Sequence, residues 1–347
     1  MRNETHNKRA NDPHIPPIVH IGLGKTATTT LQGNVFPYVP TIRPEIVYND
    51  SYLKQEIKRL QRRVATTLEE KNFFERVRAG NNFISQEGLV DWNPRNWKSA
   101  ADRNIRLFGD DATILITIRD TEDYLRSVYQ QKVHEGNIRN AEDFFLNESE
   151  YDAISDCLAP AILSRFDVDS FNLERLYKIY TERFQRVIMV PLITINRLEF
   201  LRTIFDLDDI DMKFLREKLS AGRNRNRAYS KRAMALTLKR ERLLNKLGLM
   251  TVGSDYFLLT RVQKGNESKS VKAPFRSLSR SDKIRELPIR ALKRLIKILF
   301  RRLKWRHFLQ KIFDRVVPYK PYKLPSNAYR NAKLAEENDR FMQQFIE

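Results

Sequence analysis

Residues 18–30 read IVHIGLGKTATTT, an apolar run that passes directly into glycine, lysine and several threonines. The run has the β-branched composition of a buried strand. Threonine is a poor helix former, so a threonine cluster at the start of a helix indicates another role. Where a strand turns at glycine into a helix, free backbone N–H groups and the positive end of the helix dipole form an anion site. We therefore expect Lys25 and the hydroxyls after it to bind an anion.

Apolar runs alternate with amphipathic stretches over the first 195 residues. Continuous β-branched runs separated by helices favour a parallel sheet with both faces covered. The prediction is an α/β protein with a P-loop-like three-layer α/β/α core, a central parallel sheet and a helical, basic C-terminal part. Strands are predicted at 17–23, 81–86, 112–118 and 186–192, and helices at 25–35, 51–79, 95–108, 121–135 and 171–184.

Strands become scarce after residue 195. We predict a disordered tail at 1–15 and a single domain at 16–347, divided into an α/β core at 16–195 and a helical part at 196–347. A turn-rich composition predicts a loop at 265–281. The later helices are predicted at 196–205, 211–219, 229–247, 288–316 and 329–346.

The net charge of +20 is concentrated in one region. Residues 221–320 contain 28 Lys and Arg against 6 Asp and Glu, whereas residues 1–220 contain 31 against 33. A regional charge of this size indicates an acidic partner or surface. Within the region, residues 287–318 show apolar side chains at helical spacing among basic ones. This amphipathic segment is expected either to pack on the core or to lie on an anionic membrane surface.

The composition also limits where in the cell the protein is expected and which disulfide or metal sites it can form. The chain is 41% hydrophobic, starts with a polar stretch and has no apolar run long enough to cross a bilayer, so a cytoplasmic protein is predicted. Its single cysteine, Cys157, excludes an internal disulfide and is expected to be a packing residue. The five histidines show no zinc spacing, and no metal is predicted.

The anion loop differs from a Walker A loop, which requires G-x-x-x-x-G-K-[ST]. Residues 24–26 (GKT) match its end, but the first glycine would fall at Val19, inside the strand. A loop this short suits a smaller terminal anion, with Lys25 on its bridging oxygen and Thr28 and Thr29 holding the rest. A nucleotide kinase or another P-loop phosphotransferase is the alternative enzyme.

A second motif occupies residues 114–130, ILITIRDTEDYLRSVYQ. It reads as a strand that ends at Arg119, a helix N-cap at Asp120 or Thr121, and a helix that carries Ser127. Because the carboxyl ends of parallel strands share one edge, Arg119 is expected to face the same crevice as the anion loop. An arginine fork with a hydroxyl recognises a phosphate monoester.

These two motifs resemble those of the sulfotransferases that use 3′-phosphoadenosine 5′-phosphosulfate (PAPS), in particular the bacterial carbohydrate type. Residues 22–31, GLGKTATTTL, are similar to the 5′-phosphosulfate loop G-x-P-K-[TS]-G-T-T-x-L of that family. The spacing from Arg119 to Tyr129 is similar to its 3′-phosphate motif, R-x-x-x-x-x-x-x-S-x-Y. Gly24 stands at the proline position, and Ala27 at the second glycine, where alanine fits without strain only if φ is negative.

The resemblance implies transfer of a sulfuryl group from PAPS to a hydroxyl or amine of a carbohydrate or glycolipid, without a metal. Such an in-line transfer depends on positioning and charge stabilisation, and Lys25 would neutralise the leaving 5′-phosphate. The residues implied in donor binding are Gly24, Lys25, Thr26, Ala27, Thr28, Thr29, Thr30, Arg119 and Ser127.

A general base is also needed to take the proton of the acceptor. Glu87 follows a predicted strand in NNFISQE and would reach the same sheet edge; carbohydrate sulfotransferases resemble this in using a glutamate after a central strand. The alternative is that Glu87 caps the next helix or pairs with an arginine. His134 is another candidate base, and His20 is expected to be a packed core histidine.

The nearest non-enzyme interpretation is a protein that binds a membrane surface or nucleic acid through residues 221–320. Aromatic residues such as Phe300, Trp305 and Phe308 support it. The two phosphate motifs favour the enzyme. Its expected partners are a carbohydrate or glycolipid acceptor and an anionic membrane contacted through the amphipathic segment, with no nucleic acid.

Overall fold

The computed structural model describes residues 15–61, 65–134, 137, 139–155, 165–222, 230–246, 318–328 and 331–346. A five-stranded parallel sheet of order β2-β3-β1-β4-β7 lies at the centre, and β5 and β6 form a small second parallel sheet. The predicted α/β class with a central parallel sheet is confirmed. The strands are β1 (Ile18–His20), β2 (Val47–Tyr48), β3 (Asn82–Ser85), β4 (Thr113–Ile118), β5 (Phe145–Leu146), β6 (Phe166–Asp167) and β7 (Arg186–Pro191).

Helices flank the central sheet and make most of its connections. The α-helices are α1 (Thr28–Asn34), α2 (Val39–Ile42), α3 (Ser51–Gln61), α4 (Thr67–Arg78), α5 (Trp97–Phe108), α6 (Thr121–His134), α7 (Ala141–Phe144), α8 (Glu148–Ser155), α9 (Leu173–Thr181), α10 (Glu199–Phe205), α11 (Asp209–Ala221), α12 (Lys231–Lys246) and α13 (Ala332–Gln343). Short 3₁₀ turns lie at Phe36–Tyr38, Pro94–Asn96, Leu192–Arg197 and Ser326–Ala328.

The strands send alternate side chains into two separate hydrophobic clusters, one on each face of the sheet. Val19 and Ile114 pack in the cluster formed with α3, α4, α5, α6 and α9. Their neighbours Ile18 and Leu115 pack in the cluster formed with α1, α10 and α11. Both faces of the sheet are therefore covered, which explains why its strands read as continuous apolar runs.

The prediction of one helix over 51–79 is wrong. α3 ends at Gln61, and α4 begins after Thr66 with a capping box. The Glu69 N–H donates to the Thr66 hydroxyl at 3.3 Å, and the Thr66 N–H donates to the Glu69 carboxylate at 3.0 Å. A reciprocal cap of this kind satisfies the free N–H groups of a helix start, so a new helix begins there.

The two-residue strands β2, β5 and β6 were not predicted, because so short a strand carries no readable alternation. Several sequence features lie outside the described residues: the tail up to residue 14, Cys157, the loop at 265–281 and the amphipathic segment up to residue 317. Among the helices that the structure does describe, none is both long and apolar enough to cross a membrane.

The C-terminal helix α13 is held against α6 and α9 by two adjacent side chains. The buried Asn338 accepts the N–H of Leu173 at 2.7 Å and donates to the carbonyl of Phe171 at 2.7 Å. Asp339 accepts the N–H of Thr121, the first residue of α6, at 3.0 Å. Since α6 directly follows β4, the last helix of the chain fixes the start of the helix that carries Ser127.

Asn338→Ala should lower the free energy of unfolding by about 2–4 kcal/mol, because it leaves a buried N–H and a buried carbonyl without partners. Urea denaturation followed by circular dichroism measures this. Glu337→Ala is the matched control on the same helix, since its carboxylate forms an exposed pair with Lys333 at 3.8 Å. An equal effect of the two substitutions would contradict the role of Asn338.

Candidate functional site

The loops after β1, β3 and β4 meet at one edge of the sheet. β1 lies between β3 and β4, and His20 is paired with Ser85 on one side and Leu115 on the other. The chain therefore continues from β1 to strands on one side and later to a strand on the other. In α/β proteins a crevice for ligands forms at such a switch point, outside the carboxyl ends of the strands.

The predicted anion loop connects β1 to α1 in a strained conformation. Lys25 and Ala27 have φ of 71° and 61°, so both are left-handed. The condition for an unstrained alanine at position 27, a negative φ, is therefore not met. The left-handed backbone also explains why the helix predicted from residue 25 begins at Thr28. A left-handed residue other than glycine costs about 1–2 kcal/mol. Strain of this kind is concentrated at functional sites in proteins.

The residues of the loop differ in their exposure to solvent. Thr26 and Thr28 are buried, whereas Lys25 and Thr29 are exposed and Gly24, Ala27 and Thr30 are half-buried. The ammonium group of Lys25 donates to Gln131 Oε1 on α6 at 2.7 Å. Because α1 is only seven residues long, an anion here would depend on the lysine and the loop amides more than on a helix dipole.

Arg119 joins the second motif to the loop. It follows the last residue of β4, and its Nη1 donates both to the carbonyl oxygen of Lys25 and to Ser127 Oγ, each at 3.4 Å. The predicted neighbourhood of Arg119, Ser127 and the anion loop is therefore present in the structure. The cap predicted at Asp120 or Thr121 is Asp120, whose carboxylate accepts the N–H of Asp123 at 2.8 Å.

Asp123 balances the positive charge beside the crevice. Its carboxylate accepts a hydrogen bond from Arg119 Nη2 at 2.6 Å and another from Arg126. Burial lowers the pKa of the Arg119 guanidinium, and burial raises the pKa of the neighbouring Asp120 carboxyl, against the pull of Arg119. The arginine is therefore aligned by one carboxylate and still turns Nη1 toward the loop.

Glu87 also reaches the loop. It stands two residues after the end of β3, is exposed, and accepts a hydrogen bond from the Thr28 hydroxyl. The turn after it is anchored to α5, because Asn104 Nδ2 and Arg103 Nη2 donate to the carbonyl of Leu89 at 3.0 and 3.2 Å. Glu87 does not cap the next helical segment, which is capped by Asn93.

His20 is buried, as predicted, but it packs among polar groups beneath the loop. Its Nδ1 lies 2.7 Å from Ser85 Oγ, and its Nε2 lies 3.3 Å from Thr117 Oγ1. Thr117 Oγ1 is 2.6 Å from Thr26 Oγ1, and Gln32 Nε2 donates to Ser85 Oγ at 2.9 Å. Burial lowers the pKa of His20 to about 3, so its ring is neutral at physiological pH. His134, the other candidate base, is the last residue of α6.

Sequence reasoning missed three residues of this site: Thr117, Asp123 and Gln131. Two of them had a readable signal. Asp123 lies four residues after Arg119, near enough for an ion pair across the start of α6, and Gln131 lies four residues after Ser127, the spacing of neighbours on one helix face. Thr117 gave none, because a threonine in a β-branched run reads as an ordinary strand residue. Within the described ranges, no group of three or more His, Cys, Asp and Glu side chains is placed to hold a metal ion.

The geometry of the crevice is the main support for its chemistry. Comparison of the chain with family models, with curated proteins and with solved structures found no match in any of the three. The functional assignment therefore depends on the contacts among Lys25, Thr28, Glu87, Arg119 and Ser127, together with the resemblance of the two motifs.

The two glycines of the loop should differ in their response to substitution by alanine. A Cβ on Gly22 would lie 2.6 Å from Thr117 Oγ1 and from Thr28 Cγ2, whereas a Cβ on Gly24 would meet nothing within 4 Å. Gly22→Ala should therefore lower the free energy of unfolding by about 1–3 kcal/mol, and Gly24→Ala should leave it nearly unchanged. Urea denaturation of both variants measures this. Equal stability of the two variants would show that the loop is not tightly packed at Gly22.

Proposed function

We propose that the protein is a PAPS-dependent sulfotransferase whose β1–α1 loop is a P-loop-like anion site. The observation that supports this most is the double contact of Arg119, which donates to the Lys25 carbonyl and to Ser127. The motifs that resemble the 5′-phosphosulfate loop and the 3′-phosphate site thereby face one crevice, as two phosphates of one nucleotide require. The lysine, the loop amides and the arginine fork suit a ligand with two separate anionic groups.

The charged side chains around the crevice fit an in-line transfer. Lys25 would neutralise the 5′-phosphate as its bond to sulfur breaks, which is the task of a preorganised cation. Glu87 would accept the proton of the acceptor hydroxyl or amine as the new bond to sulfur forms. The hydrogen bond from Thr28 to Glu87 supports this division, because it places the base next to the loop that would hold the sulfuryl group. The products are the sulfated acceptor and adenosine 3′,5′-bisphosphate.

The acceptor and the location follow from the resemblance and the charge. We propose a hydroxyl or amine of a carbohydrate or glycolipid as the acceptor, reached from the cytoplasmic side. The amphipathic segment at 287–318 would hold the enzyme at an anionic membrane surface, since basic amphipathic helices with aromatic residues bind such surfaces.

Thermal denaturation with three ligands tests the donor. Adenosine 3′,5′-bisphosphate at one hundred times its Kd should stabilise the fold by about 2.7 kcal/mol, while adenosine 5′-monophosphate at the same concentration should stabilise it less. Stabilisation by ATP with magnesium alone would favour a phosphotransferase. Transfer of radiolabelled sulfate from PAPS to a panel of oligosaccharides and glycolipids then identifies the acceptor.

Arg119→Ala should weaken PAPS binding about ten- to a hundredfold, the loss expected when hydrogen bonds to a charged group are removed. Binding of adenosine 5′-phosphosulfate, which lacks the 3′-phosphate, should change little, so the variant should lose its preference for PAPS. Calorimetry of both ligands measures this. Arg106→Ala is the control, because Arg106 pairs with Glu70 on the surface of α5 at 2.7 Å. An Arg119 variant that keeps the full preference would place the 3′-phosphate elsewhere.

Glu87→Gln keeps the shape of the side chain and removes the base. Turnover should fall by about a hundredfold or more, the usual contribution of a general base, while the Kd for adenosine 3′,5′-bisphosphate should stay within a few-fold of the wild type. Glu122→Gln, an exposed carboxylate in the first turn of α6, is the matched control. Wild-type turnover in the Glu87 variant would make Glu87 structural and leave His134 as the next candidate.

A further inference from the structure

A count of the hydrogens on the groups beneath the loop assigns a direction to each of their hydrogen bonds. The Thr26 hydroxyl donates to the carbonyl of Leu23, which uses its single hydrogen. Its contact with Thr117 at 2.6 Å must therefore be a hydrogen bond that Thr117 donates. Because the single hydrogen of Thr117 is then also used, Thr117 must accept a hydrogen from His20 Nε2.

The other side of the ring follows from the same count. A neutral imidazole carries one hydrogen, so His20 Nδ1 has none and accepts from the Ser85 hydroxyl at 2.7 Å. Ser85 Oγ in turn accepts from Gln32 Nε2 at 2.9 Å. The result is a chain of donors from α1 through β3 and β1 to β4 and the loop, in which every hydroxyl hydrogen has an acceptor.

We infer that His20 is a positioning residue: its neutral ring, protonated at Nε2, couples the anion loop to the strand that leads to Glu87. One arm of the chain holds Thr26, the residue between the two left-handed positions of the loop. The other arm holds Ser85, two residues before Glu87. The part of this inference that concerns the donor nucleotide rests on the proposed function; the part that concerns the loop does not.

Close packing makes the coupling stiff. Gly22 lies so close to these hydrogen-bonded side chains that an added Cβ would be 2.8 Å from His20 Nε2 and 2.6 Å from Thr117 Oγ1. At Gly22 the loop therefore has no room to move inward, and the Thr26 hydroxyl beneath it has hydrogen-bond partners. A buried network in which every member is satisfied rigidifies the structure around it.

The first test determines which ring nitrogen of His20 carries the hydrogen. The full chain labelled with ¹⁵N-histidine is studied by NMR at pH 7, and the His20 signals are assigned by their loss in His20→Gln. We expect a protonated Nε2 and an unprotonated Nδ1. A ring protonated at Nδ1, or at both nitrogens, would overturn the inference whether or not the protein binds a nucleotide.

The second test interrupts the chain of hydrogen bonds at Thr117. Thr117→Val keeps the shape of the side chain and removes the hydroxyl, while Thr113→Val is the matched control on the same face of β4, where Thr113 is also buried. Hydrogen–deuterium exchange of residues 22–28 should become faster in the Thr117 variant alone. Its affinity for adenosine 3′,5′-bisphosphate should fall about tenfold, the effect of one hydrogen bond on positioning.

The exchange rates of the loop test the inference, whereas the affinity for the nucleotide tests the proposed function. Exchange in the loop that is the same in the Thr117 and Thr113 variants would overturn the coupling through His20. A wild-type chain that does not bind adenosine 3′,5′-bisphosphate would contradict the sulfotransferase proposal, while the exchange rates and the ring nitrogens still decide the role of His20.

Discussion

The parallel pairing of β1 with β3 on one side and β4 on the other is the constraint on which the site depends. Its register sets His20 beside Ser85 and Leu115. A slip by one residue would turn the His20 side chain to the opposite face of the sheet and break both arms of its hydrogen-bond chain. Two residues beyond this line, at the same edge of the sheet, lie Gly22, Glu87 and Thr117.

Charge at this edge is arranged so that the folded chain tolerates two converging cations. Lys25 is exposed and bonded to a neutral amide, whereas Arg119 is partly buried and bonded to the carboxylate of Asp123. Glu87 adds a second carboxylate on the far side of the loop. An anion between the lysine and the arginine would gain from both, because a preorganised cation needs no reorganisation when the charge arrives.

The sheet and the positions of the site residues were largely readable from the sequence, since β-branched runs mark the strands and parallel strands share one carboxyl edge. Lys25, Glu87 and Arg119 could be placed at one edge for this reason. The break before Thr66 was missed because a charged amphipathic pattern continues across it, although its capping box is visible in the sequence. The role of Thr117 could not be read, because hydrogen-bond partners from different strands depend on register and packing.

At two positions the anion loop differs from the sulfotransferase pattern, and both differences make the buried hydrogen bonds beneath the loop more important for its conformation. A proline at position 24 would fix φ near −65° and stiffen the loop before Lys25, but the glycine at this position does not restrict φ. A glycine at position 27 would adopt a left-handed φ without cost, but Ala27 holds φ of 61° against strain. A loop that is freer at one position and strained at another needs contacts with the rest of the protein to keep its conformation. The hydrogen bonds from Thr26 to the Leu23 carbonyl and from Thr117 to Thr26 supply those contacts from beneath.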